Sequence, residues 1–103
     1  MIKVSVLYEN TEGKKFDMIY YCTRHIPMVK QKLGIACKRV DVDHGLSGAQ
    51  PGSTPAFVAM AHLLFDSVDA FQKAFGPHAE TIMGDVPNFT DIQPIIQLNE
   101  VKM

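Results

Sequence analysis

Residues 57–65 read FVAMAHLLF, nine positions with a single polar side chain. As a β-strand, this stretch sends Phe57, Ala59, Ala61, Leu63 and Phe65 to one face and Val58, Met60, His62 and Leu64 to the other. Apolar side chains on both faces are the pattern of a strand covered from two sides. A fold around this strand must therefore bury its sheet twice. At 103 residues the chain is expected to form a single domain over 1–103, with no room for a second core.

The rest of the chain supplies one of the two covers. Residues 2–8, IKVSVLY, alternate as a strand, and the polar run ENTEGKK turns the chain. From Phe16 to Leu33 the pattern is helical: at about 100° per residue, Met18, Cys22, Ile26, Val29 and Leu33 form one apolar stripe, and Gly34 caps it. A second strand is expected from about Ala36 to Leu46, followed by the flexible connection SGAQPGSTP. After the third strand, DSVDAFQKAFGP reads as a helix capped by Asp66 or Ser67 and ended by Gly76-Pro77, burying Val68, Phe71, Ala74 and Phe75. HAETIMG adds helical turns, DVPNFTD is a loop, and IQPIIQLNEV is a fourth strand, whose beginning Pro94 marks as an edge or a bulge.

The order is βαββαβ: an α+β, ferredoxin-like sandwich of two main helices on a four-stranded antiparallel sheet. Two helices cover one sheet face. A symmetric partner is expected on the other, making a homodimer.

Charge and motifs remove several function classes. Ten basic and eleven acidic residues give a net charge of −1, and the basic ones are scattered, so nucleic acid is not an expected partner. No apolar run reaches the roughly 18 residues of a membrane span, and MIKVSVLY lacks the order of a signal peptide. Cys22 and Cys37 are read as reduced, buried thiols of a cytoplasmic protein. No CxxC, HExxH, HxH, GxGxxG or P-loop spacing occurs, so no metal, flavin, nicotinamide or haem is expected.

The runs FDMIYYCTRHIP, HLLFDSVDAFQ and FGPHAETIMGDVPNFTDIQP resemble the EthD family, named for a protein linked to degradation of ethyl tert-butyl ether. The resemblance covers essentially the whole chain. It implies the dimeric α/β-barrel superfamily, in which two ferredoxin-like sheets face each other. That superfamily holds cofactor-free monooxygenases, polyketide cyclases, lactone isomerases and haem enzymes, so side chains must decide the chemistry.

On the helical wheel His25 lies about 60° and Tyr21 about 100° from the stripe centre, stacked four residues apart on one flank with Met28 beside them. His25 is the candidate general base and Tyr21 the candidate donor to a substrate oxygen. Both could instead be boundary residues with wetted tips. Tyr20 and Phe16 fall on the opposite side and are assigned to dimer or loop contacts. Pro27 lacks an amide hydrogen and frees the carbonyl of Thr23, kinking the helix. The resemblance adds His78 as a second catalytic candidate, with Asp85 and Asn88 orienting it or closing the pocket mouth, although Asp and Asn are also ordinary loop formers. Met28, Asp85 and Asn88 are the expected substrate contacts. His62 and Met60 point into the expected barrel as interface or pocket residues, and His44 is expected to be exposed.

Two functions follow. One is a cofactor-independent enzyme that moves protons beside a carbonyl (isomerase, cyclase, dehydratase or monooxygenase type) on a small hydrophobic oxygenated metabolite. The other is a non-catalytic accessory protein that binds such a metabolite for a neighbouring oxygenase.

Overall fold

The computed structural model describes residues 1–103. Four strands, β1 (Ile2–Glu9), β2 (Arg39–His44), β3 (Phe57–Phe65) and β4 (Ile95–Glu100), form one antiparallel sheet in the order β2-β3-β1-β4. The expected α+β sandwich is the observed one. No helix is long and apolar enough to cross a membrane.

Register sorts the side chains into two faces. Val4 sits opposite Leu63 and Leu98, Val6 opposite Ala61 and Ile96, and Tyr8 opposite Ala59. These residues face the helices, where Ala59, Ala61, Leu63 and Phe65 are buried. On the opposite face Ser5 pairs with His62 and Leu7 with Met60, and Val58, Met60, His62 and Leu64 are half-buried. The middle of that face is polar. Ser5 Oγ lies 2.8 Å from His62 Nδ1, and Asn99 Nδ2 donates to Ser5 Oγ at 3.1 Å. The edge strand β4 begins directly after Pro94, whose missing amide hydrogen the edge tolerates.

The first helix departs from the expected one in register. It runs as α1 (Met18–Tyr20), a π-helical turn (Tyr21–His25) and α2 (Ile26–Leu33). Asp17 caps it, its carboxylate accepting from the Tyr20 amide at 3.0 Å. In the wide turn the amide of Ile26 bonds the carbonyl of Tyr21, five residues back instead of four. The residue beneath Ile26 is therefore Tyr21, not Cys22. The expected stripe holds from Ile26 through Val29 to Leu33, but upstream of it Tyr21 and His25 are buried, Met18 is half-buried and Cys22 is exposed. Pro27 accounts for the locality, since an interior proline removes one helical hydrogen bond and presses on the carbonyl four residues back.

Gly34 ends α2 at φ 64°, followed by a 3₁₀ turn over Gly34–Ala36, so β2 is shorter than expected at both ends. Ser67 caps α3 (Val68–Phe75), its hydroxyl accepting from the Ala70 amide at 3.0 Å. Gly76-Pro77 does not end the helical run: a 3₁₀ turn, Gly76–His78, leads into α4 (Ala79–Gly84). The following loop is tied to the start of the first helix. Asp17 N donates to Phe89 O at 2.7 Å, Lys15 N to Asp91 at 2.9 Å, and Thr90 Oγ1 to Lys15 O at 2.6 Å. That clasp brings residues 85–92 against Tyr20, Tyr21 and His25.

Candidate functional site

Between helices and sheet lies a cavity of about 240 Å³. Its floor is Val4, Val6, Ala61 and Leu63, its roof includes Ile26, Val29 and Val86, and Phe71, Phe75 and Met83 stand beside it. Pro94 and the part-exposed Ile96 carry the wall out to the β4 edge. Tyr8, Tyr21 and His25 are the lining side chains with polar atoms. His25 alone among them has an ordinary pKa near neutrality.

His25 is 4% exposed and tightly held. Its ring stacks on Tyr21 at 5.5 Å, with 13° between the planes, and tilts against Phe89 at 4.6 Å. Nδ1 lies 2.9 Å from Asp85 Oδ2. The other oxygen, Oδ1, accepts from the Tyr20 hydroxyl at 2.8 Å and from Asn88 Nδ2 at 2.9 Å. Burial opposes charge on Asp85, but the bonds from Asn88, His25 and Tyr20 outweigh it and hold the carboxyl below its usual range. The carboxylate is therefore ionised at neutral pH and can only accept, so Nδ1 carries the proton. Burial also dominates at His25, pushing its pKa below the ordinary value against the opposing pull of Asp85. The ring is neutral near pH ~7, with the lone pair on Nε2.

Nε2 has no protein partner, yet no buried side-chain nitrogen or oxygen goes unpaired. It therefore borders open space, and the space that His25 lines is the cavity. The result is a base in the wall of an apolar chamber, held at Nδ1 by a carboxylate. Burial raises the pKa of Tyr8 to about 12 and that of Tyr21 further, so both phenols stay protonated and can donate hydrogen bonds.

The structure thus brings together Tyr21, His25 and Asp85 but not His78. That residue is half-buried on its 3₁₀ turn, makes no side-chain hydrogen bond and lies outside the cavity wall. Asp85 and Asn88 orient His25 rather than His78. Met28 lines a separate outer groove, with Tyr20, Arg24, Thr81, Asp85 and Asn88. His62 and Met60 lie on the helix-free sheet face, where His62 Nε2 is 4.0 Å from Asp43. His44 is exposed. Both cysteines are free, Cys22 exposed and Cys37 half-buried, so the expectation of two buried thiols fails at Cys22 and is only partly met at Cys37. No three His, Cys, Asp or Glu side chains gather closely enough to hold a metal ion.

Sequence reasoning missed Tyr8, and it assigned Tyr20 to dimer or loop contacts; Tyr20 does contact the loop, at Asp85 and Phe89. Tyr8 shares its strand face with Val4 and Val6, and that parity could have placed it in the cavity. Pro27 marks a disturbed turn, but helical periodicity does not place a π turn at Tyr21–His25 or bring Tyr20 to Asp85.

The family model described as the EthD domain matches residues 13–93, most of the chain. The chain belongs to the EthD family. An EthD-like protein from Ralstonia eutropha, known from a crystal structure, shares 49% identity at a TM-score of 0.95, over 99% of this chain and 92% of that one. A Bacillus halodurans protein of the ethyl tert-butyl ether (EthD) family superposes with a TM-score of 0.67 at 19% identity, covering 99% of each chain. An Arabidopsis thaliana protein does so with 0.69 at 11% identity, over 100% of this chain and 97% of its own. The last two likenesses are of the fold. Among curated proteins no significant match is found.

Proposed function

We propose that this EthD protein is a cofactor-independent enzyme that moves protons on a small hydrophobic, oxygenated molecule bound in the cavity. The observation that carries the reading is the free Nε2 of a neutral, buried His25, with Asp85 fixing the ring from behind. Nε2 takes a proton from carbon beside a carbonyl, and Asp85 stabilises the imidazolium that forms. A protonated phenol, Tyr21 or Tyr8, donates to the oxygen on which charge develops. Return of the proton at another carbon is isomerisation. Attack of the carbanion on a second carbonyl is cyclisation, and loss of a hydroxyl is dehydration. The apolar wall strengthens each of these interactions by keeping water away.

A carrier for the same ligands would need the apolar wall but not a histidine oriented by an ionised carboxylate, and that pair favours the enzyme. The proposal includes a homodimer in the cytoplasm, with the helix-free sheet faces opposed. Two free cysteines suit a reducing compartment.

The test can be run before the substrate is identified. Weak carbon acids, such as β-diketones and hydroxyaryl ketones, are incubated in D2O and followed by NMR for solvent deuterium uptake. The protein should accelerate exchange for some of them, and His25→Ala should reduce that rate by about 10²–10⁴-fold while the fold is kept. Exchange unaffected by His25→Ala would remove His25 as the base. Ligands that bind in the cavity yet show no exchange would favour the carrier.

A further inference from the structure

We propose that Tyr20 and Asn88 are positioning residues: they clamp one oxygen of Asp85 so that the other holds His25 in the tautomer that leaves Nε2 free. The inference rests on the reading of His25 as the base. The carboxylate is divided cleanly, with Oδ2 on His25 Nδ1 and Oδ1 receiving both the Tyr20 hydroxyl and the Asn88 amide. One bond from His25 would leave the carboxyl group free to turn about its own axis. Two further donors on the second oxygen fix its plane.

The clamp has something to work against. Asp85 borders the open groove that also contains Arg24, and no ion pair joins the two. An unrestrained carboxylate beside a groove can turn to water or to the guanidinium, and His25 then loses its acceptor. Tyr20 is itself anchored. Its amide bonds the Asp17 carboxylate, and its ring stacks on Phe89 at 6.2 Å with 24° between planes. Phe89 packs in turn on His25, so base, clamp and shared ring form a closed circuit. Tyr20 and His25 are five residues apart, a spacing that the π turn brings to the same carboxylate from one helix.

Nitrogen-15 NMR of the imidazole tests this directly. In the wild type His25 should be the Nδ1–H tautomer. Tyr20→Phe keeps the ring and removes the hydroxyl. It should raise the Nε2–H population and slow deuterium exchange about tenfold, with ligand affinity unchanged, as loss of a hydrogen bond to a charged group implies. Arg24→Ala added to Tyr20→Phe should restore part of both losses. Asn88→Ala, at an exposed turn, should shift the tautomer in the same direction and supplies the test if Tyr20→Phe does not fold. An unchanged tautomer in both single variants overturns the clamp even where His25→Ala abolishes exchange. A tautomer shift in a protein without proton-transfer activity keeps the clamp and rejects the enzyme.

Discussion

His25 and Asp85 both lose their contribution to stability as pH falls, but in different windows, and the pH dependence of stability should separate them. The folded pKa of His25 lies below its unfolded value of about 6.5, so between the two the unfolded chain binds more protons. Its contribution is full above about pH 6.5 and falls as pH drops through that value toward the lowered folded one. Asp85, held below the usual carboxyl range, adds stability above about pH 3.9 that is lost as pH falls through its own folded value. Melting temperatures measured from pH 7.5 to 5 should decline for the wild type and decline less for His25→Gln. Parallel curves would mean that His25 is not desolvated in the folded state. At this scale the sequence is informative where neighbours are local. Tyr21 and His25 are four apart on one helix and do face the same cavity. Asp85 is 60 residues from His25, and with no sequence signal for that contact the nearer His78 takes its place in the reading.

The elements were legible to the extent that each is governed by its own residues. The alternation in β3, the Gly34 stop and the Ser67 cap all act locally, and the structure places each where the sequence does. The first helix fails at one turn because a periodicity count assumes 3.6 residues throughout. A single wide turn shifts the helix upstream of Ile26 by one position, so that Cys22 faces solvent and Tyr21 and His25 are buried in its place. Pro27 offers a test of why the turn is there. Deleting the exposed Thr23 would let Tyr21 lie four residues before Ile26, the ordinary spacing, while restoring the clash of the proline ring with the preceding turn. The deletion should lower stability by up to about 3 kcal/mol, and Pro27→Ala in the same chain should recover most of that. Equal stability of the two deletion variants in urea melts would detach the proline from the wide turn.

For the molecule as a whole, the helix-free sheet face is where assembly can be tested. Its apolar residues, including Met60, Leu64 and Ile95, surround the Ser5–His62–Asn99 network rather than forming an unbroken oily plane. Light scattering at micromolar concentration should give about twice the 11.5 kDa chain mass. Met60→Asp should reduce it toward one chain, since a buried unpaired charge at an interface costs several kcal/mol. A wild-type monomer would mean that this face is stable in water by itself. The cavity carries a different consequence, and it is stereochemical. One lining nitrogen, on the neutral His25 ring, is free to accept a proton, while Tyr8, raised to about 12, and Tyr21, raised further, keep their protons. Under the proposed reading, with His25 as the one base, a proton lifted from a seated ligand and returned elsewhere on it would leave and arrive on the same side. The rearrangement would then be suprafacial, and some of the product would retain the hydrogen that the substrate brought in.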